Sequence, residues 1–110
     1  MSYNQTIAWE PLRSIDSATF TGSYQALETP LVHQSYICKL VNTSNVLVTI
    51  SINGTSDIDV APPNSFWLYD EGKVGQSSAF PALPAKTQFF VKGSAGTGLV
   101  YLVSQYVVTN

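Results

Sequence analysis

The chain has 110 residues, which is enough for one domain whose hydrophobic core needs neither a metal ion nor a disulfide. Charged residues make up only 11% of the chain and the formal net charge is −2, which argues against a protein that binds nucleic acid through a basic surface. A surface with so little charge is typical of a chain that packs against copies of itself or against other subunits.

The first residues and the cysteine content predict where the chain is made. Residues 1–5 have neither the basic nor the apolar region of a secretory signal, so we expect synthesis in the cytoplasm. No apolar run approaches the ~20 residues of a membrane-spanning helix, so no membrane partner is expected. Cys38 and His33 are the only residues of their kinds, which leaves too few ligands for a zinc site.

Residues 1–13 are predicted to form an N-terminal arm before a single domain of residues 14–110. The arm is largely polar, and its Pro11 cannot donate a hydrogen bond to a neighbouring strand. Trp9 is the expected anchor of the arm. It would either fold back on its own domain or dock on a neighbouring subunit.

Short strands separated by turns are predicted for the rest of the chain. Residues 15–27 should form a hairpin, or one strand with a bulge at Gly22. Residues 33–42 should form a central strand that pairs antiparallel with the next one, because the turn between them is short. Residues 99–108 are apolar on both faces, so this strand should lie in the middle of a sheet or be covered by a partner.

The stretch of residues 46–70 organises the middle of the chain. It begins with the period-two alternation of a strand that has one buried face. Asn53-Gly54 then favours a tight hairpin turn, and Pro62-Pro63 favours a corner before an aromatic strand. Residues 73–83 are expected to be a surface excursion, followed by a strand at residues 87–92.

Seven or eight such strands, with no helical periodicity, predict an all-β fold. We expect an antiparallel β-sandwich, with a jelly roll as one form of it and a small barrel as the alternative. The glycine-rich residues 93–98 lead into a strand and not a helix, so they are interpreted as a hairpin turn and not as a phosphate-binding loop.

Asp57 and Asp59 are the residues most suggestive of chemistry. Two positions apart in a strand, they would share a face, as the acid and base of a glycosidase or as calcium ligands. Charge on the solvent face of an edge strand has a simpler purpose, which is to block edge-to-edge pairing. His33 and Cys38 would point to opposite faces of one strand, so they do not form a nucleophile pair. No catalytic residue, metal ligand or cofactor is therefore predicted.

Four aromatic side chains are predicted to anchor protein contacts. Trp67 and Tyr69 share one face of their strand, and one face of that strand must be core while the other is a second core layer or an interface. We expect Trp67 and Tyr69 to contact a partner, with Trp9 and Phe80 as further anchors.

Two other functions use the same region of the sequence. A carbohydrate-binding β-sandwich on a host-facing surface would stack sugar rings on Trp67 and Tyr69, with Asp57 beside them. A small hydrolase would use Asp57 and Asp59, although no base or nucleophile here has an orienting partner. The low charge content favours protein contact over both.

Two segments resemble small virion-associated β-proteins of tailed bacteriophages: residues 52–69, INGTSDIDVAPPNSFWLY, and residues 86–102, KTQFFVKGSAGTGLVYL. In that family a strand ends in an S-x-x-G turn, and an aspartate-rich strand, a proline corner and an F-x-LYD strand follow. A KGTQF-x-VKG-x-AGTG-x-VY hairpin closes the pattern. The matching residues here are Ser51, Gly54, Asp57, Asp59, Pro62, residues 66–70 and residues 86–93. The chain departs from the pattern at the Pro62-Pro63 doublet and at Lys86-Thr87, which lacks the intervening glycine.

The resemblance implies a structural part of the phage particle without catalysis, at the head surface or the head–tail junction. It implies a homo-oligomer whose partners are capsid, connector or tail proteins, and a final location in the virion. It supplies no catalytic residues.

Overall fold

The computed structural model describes residues 5–70 and 83–109. Over these residues the chain is a β-sandwich of nine strands in two antiparallel sheets, which confirms the predicted fold class. The strands are β1 Gln5–Trp9, β2 Arg13–Asp16, β3 Gln25–Ala26, β4 Ile37–Asn42, β5 Val48–Ser51, β6 Asp59–Ala61, β7 Ser65–Asp70, β8 Phe90–Lys92 and β9 Leu99–Thr109.

The larger sheet has the order β1-β9-β4-β7, and β2 also pairs with β9. The smaller sheet has the order β3-β8-β5-β6. β9 pairs with β2 and then with β1 along one side, and with β4 along the other. The predicted central positions of β4 and of the long last strand are therefore confirmed.

Alternate residues of both sheets point inward and form one core, as period-two alternation requires. The buried apolar residues of the strands are Cys38, Leu40, Val100 and Leu102 in the larger sheet and Val48, Ile50, Ala61 and Val91 in the smaller one. The connecting segments add Phe20, Leu27, Leu31 and Phe89. Fully burying each of the larger aliphatic or aromatic side chains stabilises the fold by about 1.5–3 kcal/mol.

Residues 15–27 form neither the hairpin nor the single bulged strand that we predicted. β2 belongs to the larger sheet and β3 to the smaller one, and a 3₁₀ turn at Ser17–Thr19 begins the crossing between them. The Asp16 side chain caps this turn by accepting a hydrogen bond from the N–H of Ala18 at 2.9 Å. Gly22, with φ +89°, then lets the chain turn toward β3.

β4 and β5 do not pair with each other, contrary to the prediction, because the short turn between them also crosses from one sheet to the other. The buried side chain of Asn42 holds this corner. Its Nδ2 donates to the carbonyls of Val46, Ala61 and Pro62, at 2.8, 2.9 and 3.1 Å. Its Oδ1 accepts from the N–H of Ser44 at 2.9 Å. One amide therefore joins the β4–β5 turn to the end of β6.

The connection from β5 to β6 is a loop of residues 52–58 and not the predicted tight hairpin turn. Only Gly54 of the Asn53-Gly54 pair has a positive φ, at +79°. Asn53 Oδ1 instead accepts from the N–H groups of Thr55 and Ser56, at 2.9 and 2.8 Å, which curls the chain into a wider loop. The proline corner is confirmed, since the chain passes at Pro62-Pro63 from the smaller sheet to the larger.

The described part of the predicted N-terminal arm folds back on its own domain. β1 pairs with β9 from Gln5 opposite Thr109 to Trp9 opposite Gln105. Pro11 lies between β1 and β2, where its missing N–H removes no bond from a ladder.

A buried ion pair fixes the link between β1 and β2. The Arg13 Nη2 donates to Glu10 Oε1 at 2.8 Å, and both residues are almost fully buried. Arg13 also donates to the carbonyls of Thr29 and Pro30, at 2.7 and 2.8 Å. Glu10 accepts from the N–H of His33 at 2.6 Å, so the pair ties this link to the loop that precedes β4.

These contacts set the protonation of Glu10. Burial raises the pKa of the Glu10 carboxyl, but hydrogen bonds from the backbone of His33 and Val32 and from the side chains of Arg13 and His33 lower it below its ordinary 4.5. A lowered pKa in the folded state means that the carboxylate adds stability above the ordinary pKa. That stability is lost as the pH falls through the folded-state pKa.

Asn42→Ala should lower the free energy of unfolding by about 2–3 kcal/mol, because the carbonyls and the N–H bonded by Asn42 lose their partner in a buried corner. Urea denaturation followed by tryptophan fluorescence measures the loss. Asn53→Ala is the matched control, since its exposed loop can bond to water, and it should cost less than about 1 kcal/mol. Equal losses in the two variants would contradict the role given to Asn42.

Glu10→Gln should destabilise the protein by about 3 kcal/mol at about pH 7, because it breaks a buried ion pair. The difference from wild type should shrink as the pH falls below 4.5 and through the lowered folded-state pKa of Glu10, because the wild-type carboxylate then becomes protonated. Urea denaturation across this pH range tests the sign, with Glu28→Gln as the control at an exposed carboxylate. If the difference in free energy of unfolding between Glu10→Gln and wild type does not change with pH, the lowered pKa of Glu10 is wrong.

Candidate interaction face

The larger sheet has an outer face that is apolar. Since Cys38 and Leu40 of β4 point into the core, Ile37, Lys39 and Val41 point outward. The strand register extends this face to both neighbours of β4. Its other members on β1, β7 and β9 are Ile7, Trp9, Phe66, Leu68, Asp70, Tyr101, Val103, Gln105 and Val107. We call this set the outer face.

Five apolar side chains of the outer face are exposed. Trp9 is 60% exposed, Phe66 57%, Ile7 50%, Leu68 48% and Val107 37%. The register brings them together with half-buried apolar residues, which fill the space between β7 and β1: Ile37, Val41, Tyr101 and Val103. An antiparallel sheet that faces water normally carries polar side chains there, so this surface is typical of an interaction site.

The one lysine of the outer face does not break its apolar character. The Lys39 Nζ lies 6.0 Å from the centre of the Phe66 ring, with the aliphatic stem of the lysine beside Leu68 and Val103 in the register. A shallow groove lined by Lys39, Val41, Asn64 and Phe66 lies at one end of the face. This groove is a recess at the edge of the outer face.

The smaller sheet carries a polar cluster instead. The Tyr24 hydroxyl donates to Asp57, and the Lys92 Nζ lies 3.2 Å from Asp57 and 4.6 Å from the centre of the Tyr24 ring. The hydrogen bond from Tyr24, followed by that from Lys92, lowers the pKa of Asp57. Burial and then the neighbouring Asp57 raise the pKa of Tyr24 to about 12. These groups bond to one another at the smaller sheet, whereas the charged residues of the outer face are Lys39 and Asp70.

Trp67 and Tyr69 lie on the inner side of β7, and not on the open surface where we expected them. Trp67 is opposite Leu40 and Tyr69 opposite Cys38, and both of those β4 residues are buried. Trp67 packs edge-to-face on Phe89, with ring centres 6.0 Å apart. The two aromatics therefore cover the core at the edge of the larger sheet.

The side chain of Asp59 bonds to Trp67 on the inner side of β7. Its Oδ2 accepts a hydrogen bond from the Trp67 Nε1 at 2.6 Å, which satisfies the indole N–H beside the core. The open face of β7 instead carries Phe66 and Leu68, which our prediction did not single out. Both faces of β7 are apolar in sequence, so strand alternation alone could not choose between them.

The other two predicted anchors have different outcomes. Trp9 is exposed on the outer face, and its contact with a partner stays a prediction. Phe80 lies outside the described residues.

Asp57 and Asp59 do not form a carboxylate pair. Asp57 lies in the loop before β6, and Asp59 is the first residue of that strand. Asp57 bonds to Tyr24 and Lys92, whereas Asp59 bonds to Trp67 across the sandwich. β6 is an edge of the smaller sheet among the described strands, so Asp59 is a charge at a sheet edge, but it lies on the inner side of its strand opposite Ile50 and not on the predicted solvent face.

Cys38 and His33 do not share a strand, because β4 begins at Ile37. The His33 ring stacks on Tyr106 with ring centres 3.6 Å apart, and its Nδ1 lies 3.1 Å from Glu10. Cys38 is fully buried, and burial raises the pKa of its thiol to about 12. A thiol that stays protonated at neutral pH is a core residue and not a nucleophile.

The described residues include no group of three or more His, Cys, Asp and Glu side chains placed to hold a metal ion. Within the same ranges, no helix has the length and apolar character needed to cross a membrane. Residues 93–98 are a turn, as predicted, but they link β8 and β9 in different sheets and so do not close a hairpin. Gly98 has φ +114°, and a Cβ there would lie 2.7 Å from the Thr43 carbonyl.

Trp67→Ala should lower the free energy of unfolding by about 2–3 kcal/mol, because it removes the contact with Phe89 and the hydrogen bond to Asp59. Phe66→Ala, on the neighbouring but exposed position, should cost less than about 1 kcal/mol. Urea denaturation of the two variants compares them directly. A larger loss for Phe66→Ala would reverse the assignment of the two faces of β7.

Comparison with known proteins assigns no family to this chain. The resemblance to phage virion proteins depends on the sequence motifs quoted above, and it stays a prediction. The β-sandwich is established by the two sheets themselves. No protein-family model, no curated protein and no solved structure matches the chain.

Proposed function

We propose that this chain is a non-enzymatic structural protein of a tailed-phage virion, which assembles with copies of itself and with capsid or head–tail connector subunits. The observation that carries the proposal is the outer face of the larger sheet. Both faces of that sheet are apolar at β4, β7 and β9, although only one of them packs against the smaller sheet. A subunit interface gives the second apolar face a place to be buried.

The exposed apolar residues of the outer face support the proposal because their burial favours association. Burying one large apolar side chain contributes about 1.5–3 kcal/mol, and the outer face has several that are half exposed or more. Lost rotational freedom and side-chain ordering offset much of this gain, so one contact between two copies is modest. In a ring or lattice each copy makes several such contacts, and their combined avidity is high.

The residues of the phage-like motif have structural roles here, which supports a structural protein over an enzyme. The Ser51 Oγ accepts from the N–H of Gly54 at 3.0 Å and so holds the β5–β6 loop. Asp59 orients Trp67, and Pro62 begins the corner between the sheets. None of these residues lines an open site.

The residues predicted for carbohydrate binding do not form a common surface site. Trp67 and Tyr69 pack against the core, so their rings do not form a stacking platform on the surface. Asp57 bonds to Tyr24 and Lys92 on the other side of the sandwich. No other observation favours sugar binding.

The location in the virion is tested with purified particles of the phage whose genome carries this gene. The chain should copurify with the particles through a density gradient, in the many copies that a ring or lattice requires. A gene position among portal, capsid and tail genes would agree with this. Absence from the particles would overturn the proposal.

The double substitution Phe66→Ser with Leu68→Ser should weaken self-association of the purified chain at least tenfold, because it removes two exposed apolar contacts from the outer face. Analytical ultracentrifugation over a range of concentrations measures the change. Val60→Ser is the matched control, since Val60 is 44% exposed on the smaller sheet. Unchanged association in the double variant would exclude the outer face as the contact surface.

A further inference from the structure

The main-chain groups of β9 alternate between its two sides. The carbonyl of Ser104 accepts a hydrogen bond from the N–H of Glu10 on the β1 side, at 3.0 Å. The carbonyl of Gln105 accepts from the N–H of Tyr36 on the β4 side, at 3.4 Å. Because the direction alternates along a strand, the N–H and C=O of Val107 point to the β4 side.

β4 does not reach Val107. Its first residue, Ile37, is already opposite Gln105. The chain before β4 is bonded elsewhere, since the main chain of Ser35 exchanges two hydrogen bonds with Leu83, at 2.8 and 2.9 Å. Among the described residues, no strand pairs with β9 beyond Gln105 on this side.

We call residues 106–109 the open edge of β9. With β1 they form a two-stranded ribbon that extends past β4. Neither strand of the ribbon contains a charged residue, a proline or a glycine, whereas exposed edges are usually protected by one of these. The edge strand β6 carries Asp59, and β3 has only two residues. A two-stranded ribbon is only marginally stable alone in water, and a third strand would stabilise it. An unprotected edge of this kind is therefore suited to pairing with a strand of another chain.

We propose that the open edge of β9 pairs antiparallel with the open edge of a second copy, about a two-fold axis at Val108. The two larger sheets then form one continuous sheet. This inference specifies one copy-to-copy contact of the assembly and rests on the self-association proposed above.

The position of the axis follows from the pairing already present. A two-fold axis at Val107 would place Thr109 of one copy opposite Gln105 of the other, where Ile37 already pairs. An axis at Val108 places Val107 opposite Thr109, and both residues point their main-chain groups to the shared edge. Each of the two equivalent pairs exchanges two hydrogen bonds, and Gln105 keeps its present partners.

A second copy fits this edge for reasons of symmetry and charge. A strand pairs with itself only in antiparallel fashion about a two-fold axis, and here that operation matches donors with acceptors. Val108 then meets the same residue of the other copy, and β-branched cross-strand pairs of this kind stabilise sheets. No like charges approach one another, because the ribbon has none.

A cysteine at position 108 tests the axis directly. In the proposed dimer Val108 is a non-hydrogen-bonded pair with a Cα separation of about 4.5 Å, which a disulfide can span. Val108→Cys should therefore give a disulfide-linked dimer within minutes of mild oxidation. Val107→Cys is the control, since its side chain points to the opposite face and is displaced along the strand from its copy. Cys38 is buried and gives little background. Equal linkage of both variants, or linkage of neither, would overturn the proposed register.

Val107→Pro tests the hydrogen bonds of the open edge. It removes an N–H that points away from β1, so the β1–β9 ladder stays intact while dimer affinity falls at least tenfold in sedimentation. Val107→Thr is the matched comparison, since it changes the same outer-face side chain but keeps the N–H and the β-branched shape, and Val107→Pro should associate at least tenfold more weakly than Val107→Thr. If Phe66→Ser with Leu68→Ser weakens association but Val107→Pro does not, the outer face remains an interface and the β9 pairing is wrong. If neither variant changes association, both proposals fail.

Discussion

The main-chain hydrogen bonds of β9 hold the larger sheet together. β9 pairs with β2 and β1 on one side and with β4 on the other, and β7 reaches it only through β4. Its register therefore decides which residues of the neighbouring strands point into the core and which point outward. The outer face and the open edge both follow from this one strand. The outer face is the set of residues that alternation turns away from the core. The open edge is the part of β9 that extends beyond the first residue of β4.

Most charged residues in the described part of the chain lie away from the outer face, which itself carries Lys39 and Asp70. Glu10 and Arg13 are buried as a pair that ties the β1–β2 link to a loop. Asp59 points inward at an edge and bonds to Trp67, and Asp57 pairs with Lys92 on the smaller sheet. Charge thus fixes local structure at the ends and edges of the sandwich. Because the chain has few charged residues and uses several of them in these contacts, one face of the larger sheet is left largely apolar.

Most strands could be predicted from the sequence because their pattern is local, but β1 was predicted as an arm and the pairing into sheets could not be predicted. The apolar residues on both faces that identified β4 and β9 as central are visible within each strand. The turns after β2, β4 and β8 contain ordinary turn residues, which favour a change of direction without specifying the sheet that the chain enters next. In this protein all three cross between sheets.

The predicted positions of Trp67 and Tyr69 were wrong for a related reason. Both faces of β7 are apolar, and the inward face is set by the register with β4, where Trp67 is opposite Leu40 and Tyr69 opposite Cys38. Phe66 and Leu68 therefore could not be identified as the exposed pair from β7 alone. Glu10 and Arg13 likewise resemble surface charges until the chain near Pro30 is folded over them. Contacts between distant parts of the chain decided each of these points.

The pairing of Gln5 with Thr109 has a consequence for how the protein folds. The strand at the centre of the larger sheet follows β1, β2 and β4 in the chain, so the groups of these strands that bond to β9 stay unpaired until β9 has been synthesised. Closing the long loop between β1 and β9 is slow, because its entropic cost must be met before any of these bonds form. During that interval the apolar strands are exposed to other nascent chains. Pairing of β9 with β1, β2 and β4 therefore closes strand edges that are prone to aggregation while they are unpaired.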